Sequence, residues 1–539
     1  MLAFLVSNCL GLLFLLLNDY QGANTHRQLL ESPTQPPSVY RFDNPLQAYR
    51  ILTYLDTYQS PRNNTFLEQI SYIEPYRSFH LGLTVDNLYC YKHRLYFVHD
   101  PEIIFGQPKI FTDYNSSSLL RKSVVPEIGI DVQTNIHLDM DFNSKFGHNF
   151  DINMDVSHFF SGGLYTARKI GKQFSCLTQA SNQIPGNRII QNKEFFARAL
   201  FEYRESLGSK PLCKEDLKYF PKIWSLKDKD QCSSFFEEIN KDEYQQLKQE
   251  KGSIYSKIPE GKEDVIPLGD KEEETIRSAL KNGEYCGYLM HRFLVQKDLP
   301  ASLLLNHSEF RIRVYLLIAS TNPLIAYYHD GFIISNPQNN KQGTQAHSTK
   351  TMEELQTYLL ENKITKNRNW INTYLRFELK KVLVHLVRMI QAPLVKISTL
   401  YELQSVDFML DDKLNLWFLE ADAFPELEGT TGREKQFFTD MLKDHFEIVT
   451  GLLRSRTKRI IQYINRITKE KKIWEENEEI FFDNFLQIKE EFQEVIKNSF
   501  ESEFEPRSLN GFSKIVDETV NGTARYNGLL QEGCIENLN

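Results

Sequence analysis

The stretch LQSVDFMLDDKLNLWFLEAD, residues 403–422, constrains this chain more than any other. DFML and LWFLEAD are rich in strand-forming residues, and DDKLN between them supplies turn residues, so the segment reads as a β-hairpin. With the loop at Asp412 to Asn415, Asp411 faces Leu416, Met409 faces Phe418 and Asp407 faces Glu420. Side chains alternate along a strand, which puts Asp407, Met409, Phe418, Glu420 and Asp422 on one face. Directly opposed residues have Cβ atoms roughly 5 Å apart, and like charges at that distance destabilise a sheet. Something must offset the repulsion. One answer is a basic partner or a raised carboxyl pKa. The other is a divalent cation, since hard ions such as Mg²⁺ bind through one or two carboxylates together with substrate phosphates.

The 539-residue chain is long enough for several domains and a large core. Its composition is that of a globular protein, and its net charge of −8 argues against general nucleic-acid binding, which wants a basic footprint. Local basic clusters at Arg168/Lys169/Lys172 and Arg454/Arg456/Lys458/Arg459 read as solvated helix faces or as sites for an acidic partner. The seven cysteines are scattered singly, with no CxxC pair, so a zinc site is not expected. An odd, sparse count fits a reducing compartment better than a disulfide scaffold. The N-terminus pulls the other way. Residues 2–17 are apolar, a little short for a membrane span and without the basic start of a signal peptide. A signal or anchor and an incidental apolar start both stay open, so membrane association is undecided.

Five regions follow along the chain: the apolar segment 1–20, a polar, proline-bearing linker 21–40, a mixed α/β domain 41–175, a region 176–455 that holds the hairpin, and a helical C-terminal extension 456–539. Within 176–455, NKEFFARALFEY, TMEELQTYLLEN, FELKKVLVHLVRMI and EKQFFTDMLKDHFEIVTGLL have helical spacing. SIYSKIP, GEYCGYLMHRFLV and EFRIRVYLLIAS are strand-like, and YYHDGFII offers an Asp330-Gly331 turn. After residue 460, Phe481, Phe485, Ile488, Phe492 and Val495 recur at helical spacing, and the final NGFSKIVDETVNGTARYNGLL reads as weakly structured.

Four features fall in one order: Lys257 ending a strand, the basic–aromatic pair Arg292 and Phe293, then Glu309, Arg311 and Arg313 on one strand face, and the hairpin acids. A nucleoside triphosphate needs such parts, namely cations for its phosphates, an apolar slot for the base and acids for a metal. At this point roughly residues 175–455 resemble the tubulin–tyrosine ligase-like family, whose catalytic region has an ATP-grasp fold. NQIPG is similar to that family's N-H-x-P-G, YFPKIWSL to F-Y-P-x-T-x-x-L, and YLMHRFL to V-V-Q-K-Y-I. EFRIRVYLLIAS with the following NPL and DG resembles K-F-D-L-R-x-Y-V-L-V-T and its sequel. AHSTK resembles H-L-T-N, and VDFMLDDKLNLWFLEAD resembles F-D-F-M-x-D-x-x-L-x-x-W-L-L-E-V-N.

The resemblance implies an α/β (α+β) protein with an ATP-grasp-like core, using ATP and Mg²⁺. It assigns Asp407, Glu420 and Asp422 to the metal, Lys257 to the phosphates, and Arg292, Phe293 and Leu294 to adenine. Arg313 would face the γ-phosphate, with Arg313 and Glu420 in catalytic roles. The implied reaction adds a free amino acid (glutamate, glycine or tyrosine) to a glutamate carboxylate of an acidic protein tail, such as tubulin or microtubule tails, in a cytoplasmic, cytoskeletal or ciliary setting. A secretory or membrane-anchored setting is kept open by residues 2–17. The departures are specific. The family's K-x-D is Glu309-x-Arg311 here, which reverses both charges and turns Arg311 toward the phosphates and Glu309 toward the ribose. Ile334 stands where the family has an arginine, and Asp422 replaces an asparagine. A catalytically impaired relative that binds tubulin or nucleotide is the alternative these departures favour.

Overall fold

The computed structural model describes residues 179–182, 184, 187–208, 213, 216–251, 254–259, 266–281, 293–335, 348–391, 394, 400–423, 425–471, 487–488, 490–506, 508–530 and 534, with the N-terminal pieces 39–41, 43, 102–104, 109–112, 132–133 and 157–160. The apolar segment 2–17, Arg292, Phe481 and Phe485 lie outside these, as do the side chains of Lys257 and Phe293.

Among the described N-terminal pieces, short parallel strands at Lys109–Thr112, Val132–Gln133, Ser157–Phe160 and Gln179–Ser181 form one sheet. Helix α1 (Lys193–Ser206) follows, capped by Asn192, whose Oδ1 accepts from the backbone N–H of Glu194 and Phe195. A small antiparallel sheet comes next. It is built from β1 (Ile223–Ser225), β2 (Tyr255–Pro259), β3 (Ile266–Pro267) and β4 (Phe293–Lys297), with α2 (Lys229–Ile239), α3 (Asp242–Lys251) and α4 (Asp270–Lys281) between its strands.

The larger sheet is antiparallel throughout. Its strands are β5 (Leu304–Leu305), β6 (Ser308–Thr321), β7 (Leu324–His329), β8 (Ile333–Ser335), β9 (Ser348–Lys350), β10 (Glu402–Leu410), β11 (Leu416–Asp422) and β12 (Phe512–Asp517). Helices α5 (Met352–Glu361) and α6 (Arg376–Gln391) precede the β10–β11 hairpin, and α7 (Gly432–Lys471) follows it. Strand β6 is central. Its even-numbered residues Ile312, Val314, Leu316 and Ile318 pack with Leu379, Leu383 and Leu386 of α6. Its odd-numbered Tyr315, Leu317 and Ala319 pack with Phe438, Met441 and Leu442 of α7. Covering on both faces explains why EFRIRVYLLIAS turns from alternating to solidly apolar. Each such residue, fully buried, contributes on the order of 2 kcal/mol. At Arg313 and below, the α7 side of β6 becomes polar, and there the site begins.

Several expectations need correcting. Asp330-Gly331 is not a hairpin turn: β7 and β8 both pair with β6, and Asp330, Gly331 and Phe332 stand opposite Arg313 and Val314 as a bulge. Helix α7 runs unbroken through residues 455 and 456 and is 40 residues long. FSKIVD, read as weakly structured, is strand β12 and pairs with β7. The apolar stripe after residue 460 needs no correction where it is described: Ile488 and Phe492 are buried against α7 as core residues. The cysteine count misled most. Cys213 and Cys534, 321 residues apart, form a disulfide, and Cys232 is also disulfide-bonded.

Asp444 on α7 is buried and accepts a hydrogen bond from Asn510 Nδ2 at 2.6 Å. Burial, with the Glu447 and Asp440 charges, outweighs that bond and pushes its pKa up to about 6. A raised carboxyl favours folding while protonated, and that stability is lost as pH rises from the unfolded value of about 4 through about 6. Asp444→Asn is therefore expected to stabilise the protein by about 1–3 kcal/mol at pH 8, with little gain at pH 4, measured by denaturant unfolding at both pH values.

Candidate functional site

Strand β6 supplies the cations and the β10–β11 hairpin the acids. Arg313 and Asp407 are partners across β6–β10, and Asp407 and Glu420 across β10–β11. Asp407 is only 2% exposed. Its Oδ1 accepts from Arg313 Nε and its Oδ2 from Arg313 Nη2, both at 2.8 Å, the two-pronged pairing that a planar guanidinium favours. Arg311 Nη1 lies 3.1 Å from the same Oδ2 and 3.5 Å from Glu420 Oε1. Basic partners thus offset the opposed carboxylates. Burial would lower the Arg313 pKa, but the hydrogen bonds and charge of Asp407 outweigh it and hold the pKa above its ordinary value.

The hairpin register is the expected one from Ser405–Asp422 through Asp407–Glu420, but not from there toward the turn. Phe408 faces Phe418, Met409 faces Trp417 and Leu410 faces Leu416, so Leu419 is an extra residue on β11. This bulge turns Phe418 away from the acids and into the core, where its ring lies 5.0 Å from that of Phe196. Apolar Phe418 and Ala421 then share the buried side, while Glu420 and Asp422 stay exposed. Asp422 Oδ1 accepts from Gln191 Nε2 at 2.9 Å. The fourth acid, Asp411, is structural. It accepts from the backbone N–H of Lys413 and Asn415 and from Trp417 Nε1, and so holds the turn.

Two supports were not singled out beforehand. Phe332 O accepts from Arg313 N at 2.8 Å, and a Cβ on Gly331 would sit 2.2 Å from Arg313 O. Only glycine fits that approach, which fixes the strand under Arg313. Glu434 opens α7: its carboxylate accepts from the Thr430 and Thr431 backbone N–H groups and from Thr349 Oγ1 of β9. These bonds outweigh burial and hold its pKa down to about 2. The T-x-x-E spacing of Thr431 and Glu434 is a legible capping box.

Lys257, Phe293 and Leu294 fall on the small sheet. Lys257 stands on β2 opposite Val295 of β4. Phe293 opens β4, and Leu294 buries its side chain in the core. From Leu294 to Gln296, β4 is flanked by β1 and β2 on its two edges, so a base reading this strand's backbone would meet it at the Phe293 end. Glu309 is exposed at the outer end of the β6 face, and Ile334 pairs with Arg311 on its other edge.

The fit of these residues to Mg²⁺ is poor. Among the described residues no three His, Cys, Asp or Glu side chains gather as a metal set. Asp407, assigned to the metal with Glu420 and Asp422, has both oxygens taken by arginines. The cation at this place is a guanidinium.

Two antiparallel sheets, one with paired arginines and acids at the edge of its helix cover and one with the lysine strand, make a mixed α/β protein with helices in its C-terminal part. The family model for the tubulin-tyrosine ligase family matches residues 172–335 and 333–458, more than half of the chain, and the protein belongs to that family. Similar proteins include "Inactive polyglycylase TTLL10" of Homo sapiens, 22% identical over 187 residues, covering 30% of this chain and 28% of that protein. "Tubulin monoglycylase TTLL3" of Danio rerio is 22% identical over 201 residues, covering 32% and 25% respectively. "Probable tubulin polyglutamylase TTLL9" of Bos taurus is 22% identical over 192 residues, covering 32% and 42%. The chain thus spans between 25% and 42% of the length of these curated relatives. A crystal structure of the C-terminal domain of K. lactis Pby1, an ATP-grasp enzyme, is 13% identical with a TM-score of 0.44, covering 64% of this chain and 94% of that one. No helix among the described residues is long and apolar enough to cross a membrane.

Proposed function

We propose that the protein is an ATP-dependent carboxylate–amine ligase that joins a free amino acid to a glutamate side chain of an acidic protein tail. Tubulin is the tail that the names of the relatives suggest. The observation that carries this reading is Arg313, held by the buried Asp407 on the polar end of the β6 face inside the family region. In the first step the substrate carboxylate oxygen attacks the γ-phosphate, and ADP leaves as an acyl phosphate forms. Arg313 stabilises the negative charge that spreads over the transferring phosphoryl group. In the second step the amino acid's amine attacks the acyl carbon, phosphate leaves, and the amide bond remains. Holding amine and acyl carbon together is the protein's contribution there. With Asp407 committed to arginines, no step is assigned to a metal.

The test is incubation of the full chain with ATP, tubulin and glutamate, glycine or tyrosine, followed by peptide mass spectrometry. One amino acid is expected to be added at glutamate residues, dependent on ATP and lowered about 10²–10³-fold with Arg313→Met. No addition with any of the three would favour the second reading, a nucleotide- and tubulin-binding relative without ligase activity. Arg311 beside Asp407 and Ile334 in place of an arginine are what support that reading.

A further inference from the structure

We infer that Arg311 is the built-in cation of this site, standing where a divalent ion would bridge Asp407 and Glu420, so that the protein takes up nucleotide phosphates without needing a divalent metal. This rests on the nucleotide reading above. The like charges of Asp407 and Glu420 are directly opposed across the hairpin and need a cation between them. Arg311 lies two residues before Arg313 on β6, and the strand period of two puts both on the acids' face. Its Nη1 reaches both carboxylates, at 3.1 Å from Asp407 and 3.5 Å from Glu420.

A divalent ion would have to displace that guanidinium, which cannot give up its proton, and would then sit beside two fixed positive charges. The ion's best ligand is also engaged, because Arg313 holds both oxygens of the buried Asp407 and an incoming ion would have to compete with it. The Arg311 side chain is still 38% exposed, so its outer edge can meet phosphate oxygens while its inner edge holds the acids. Lysine or glutamine there would not do both, lacking either the planar fork or the charge.

The experiment uses the full-length protein and the variant Arg311→Asp. Titration with Mn²⁺ alone, followed by electron paramagnetic resonance, is expected to show binding at least about tenfold tighter in the variant than in the wild type. A fluorescent ATP analogue is expected to bind the wild type within about threefold in EDTA and in Mg²⁺, whereas the variant loses at least about tenfold in EDTA. Equal Mn²⁺ affinity in the two proteins overturns the inference, and so does a wild type whose nucleotide affinity collapses in EDTA. If Arg311→Asp fails to fold, Arg311→Gln replaces it, with tighter Mn²⁺ binding than the wild type again expected. Absence of nucleotide binding in every protein overturns the proposed function and the phosphate half of the inference together. The Mn²⁺ titration by itself still decides whether Arg311 holds a metal's place.

Discussion

Arg313→Met is expected to lower ATP-dependent product formation by about 10²–10³-fold, the loss typical when one preorganised donor to a transition-state charge is removed. The same change is expected to reduce the unfolding free energy by about 2–4 kcal/mol, because it strips the two-pronged partner from a carboxylate that is 2% exposed. The loss falls short of that for a wholly orphaned buried charge, since Arg311 remains 3.1 Å away. Replacing both partners with apolar residues, as in Asp407→Leu with Arg313→Met, removes the uncompensated charge. The double variant should regain most of the stability but none of the activity. Urea unfolding and a product assay on the three proteins separate the two effects. Equal activity in the single variant and the wild type would remove Arg313 from the chemistry.

The second large effect is on the fold. Cys213 and Cys534 are both buried; the disulfide fastens the C-terminal segment to the stretch after α1, and Arg388 Nη2 of α6 donates to Cys534 O at 3.0 Å. Tyr526, Leu529 and Leu530 of that segment lie in the core with α6 and α1 residues. A cross-link over 321 residues removes much of the unfolded chain's freedom. Its loss, through Cys213→Ser or through reduction, is expected to cost about 2–4 kcal/mol. Thermal unfolding with and without a reductant measures this, and identical melting temperatures would show the bond to be absent. The Cys213→Ser protein should be indifferent to that cross-link's reduction.

Why were some of these features legible in the sequence and others not? Asp407 and Glu420 could be paired because two apolar strands flank an obvious polar turn, and alternation within each strand is a local property. The bulge at Leu419 was hidden, since it is stabilised by Phe196 and Phe220 on the buried side of Phe418, contacts made by distant segments. Asp330-Gly331 carries the composition of a turn, yet the glycine is there for close approach to Arg313, which only the neighbouring strand explains. The disulfide joins residues 321 apart in the chain, and spacing says nothing about such a pair. FSKIVD is short and mixed in polarity, and it becomes a strand because β7 offers it an edge. Helices α1 and α5 were readable because an apolar face and a cap are encoded within a few turns, and α6 by its apolar face. The departures Glu309 and Arg311 were visible as reversed charges. That Arg311 would serve the acids rather than leave them to a metal needed the geometry.

The account depends on terminal phosphates meeting the arginines of β6. Calorimetric titration of the full chain with ATP and with AMP tests this most directly. ATP is expected to bind at least about tenfold more tightly than AMP in the wild type, with the difference abolished in Arg313→Met. Equal affinity for ATP and AMP, or no binding of ATP at millimolar concentration, would contradict it.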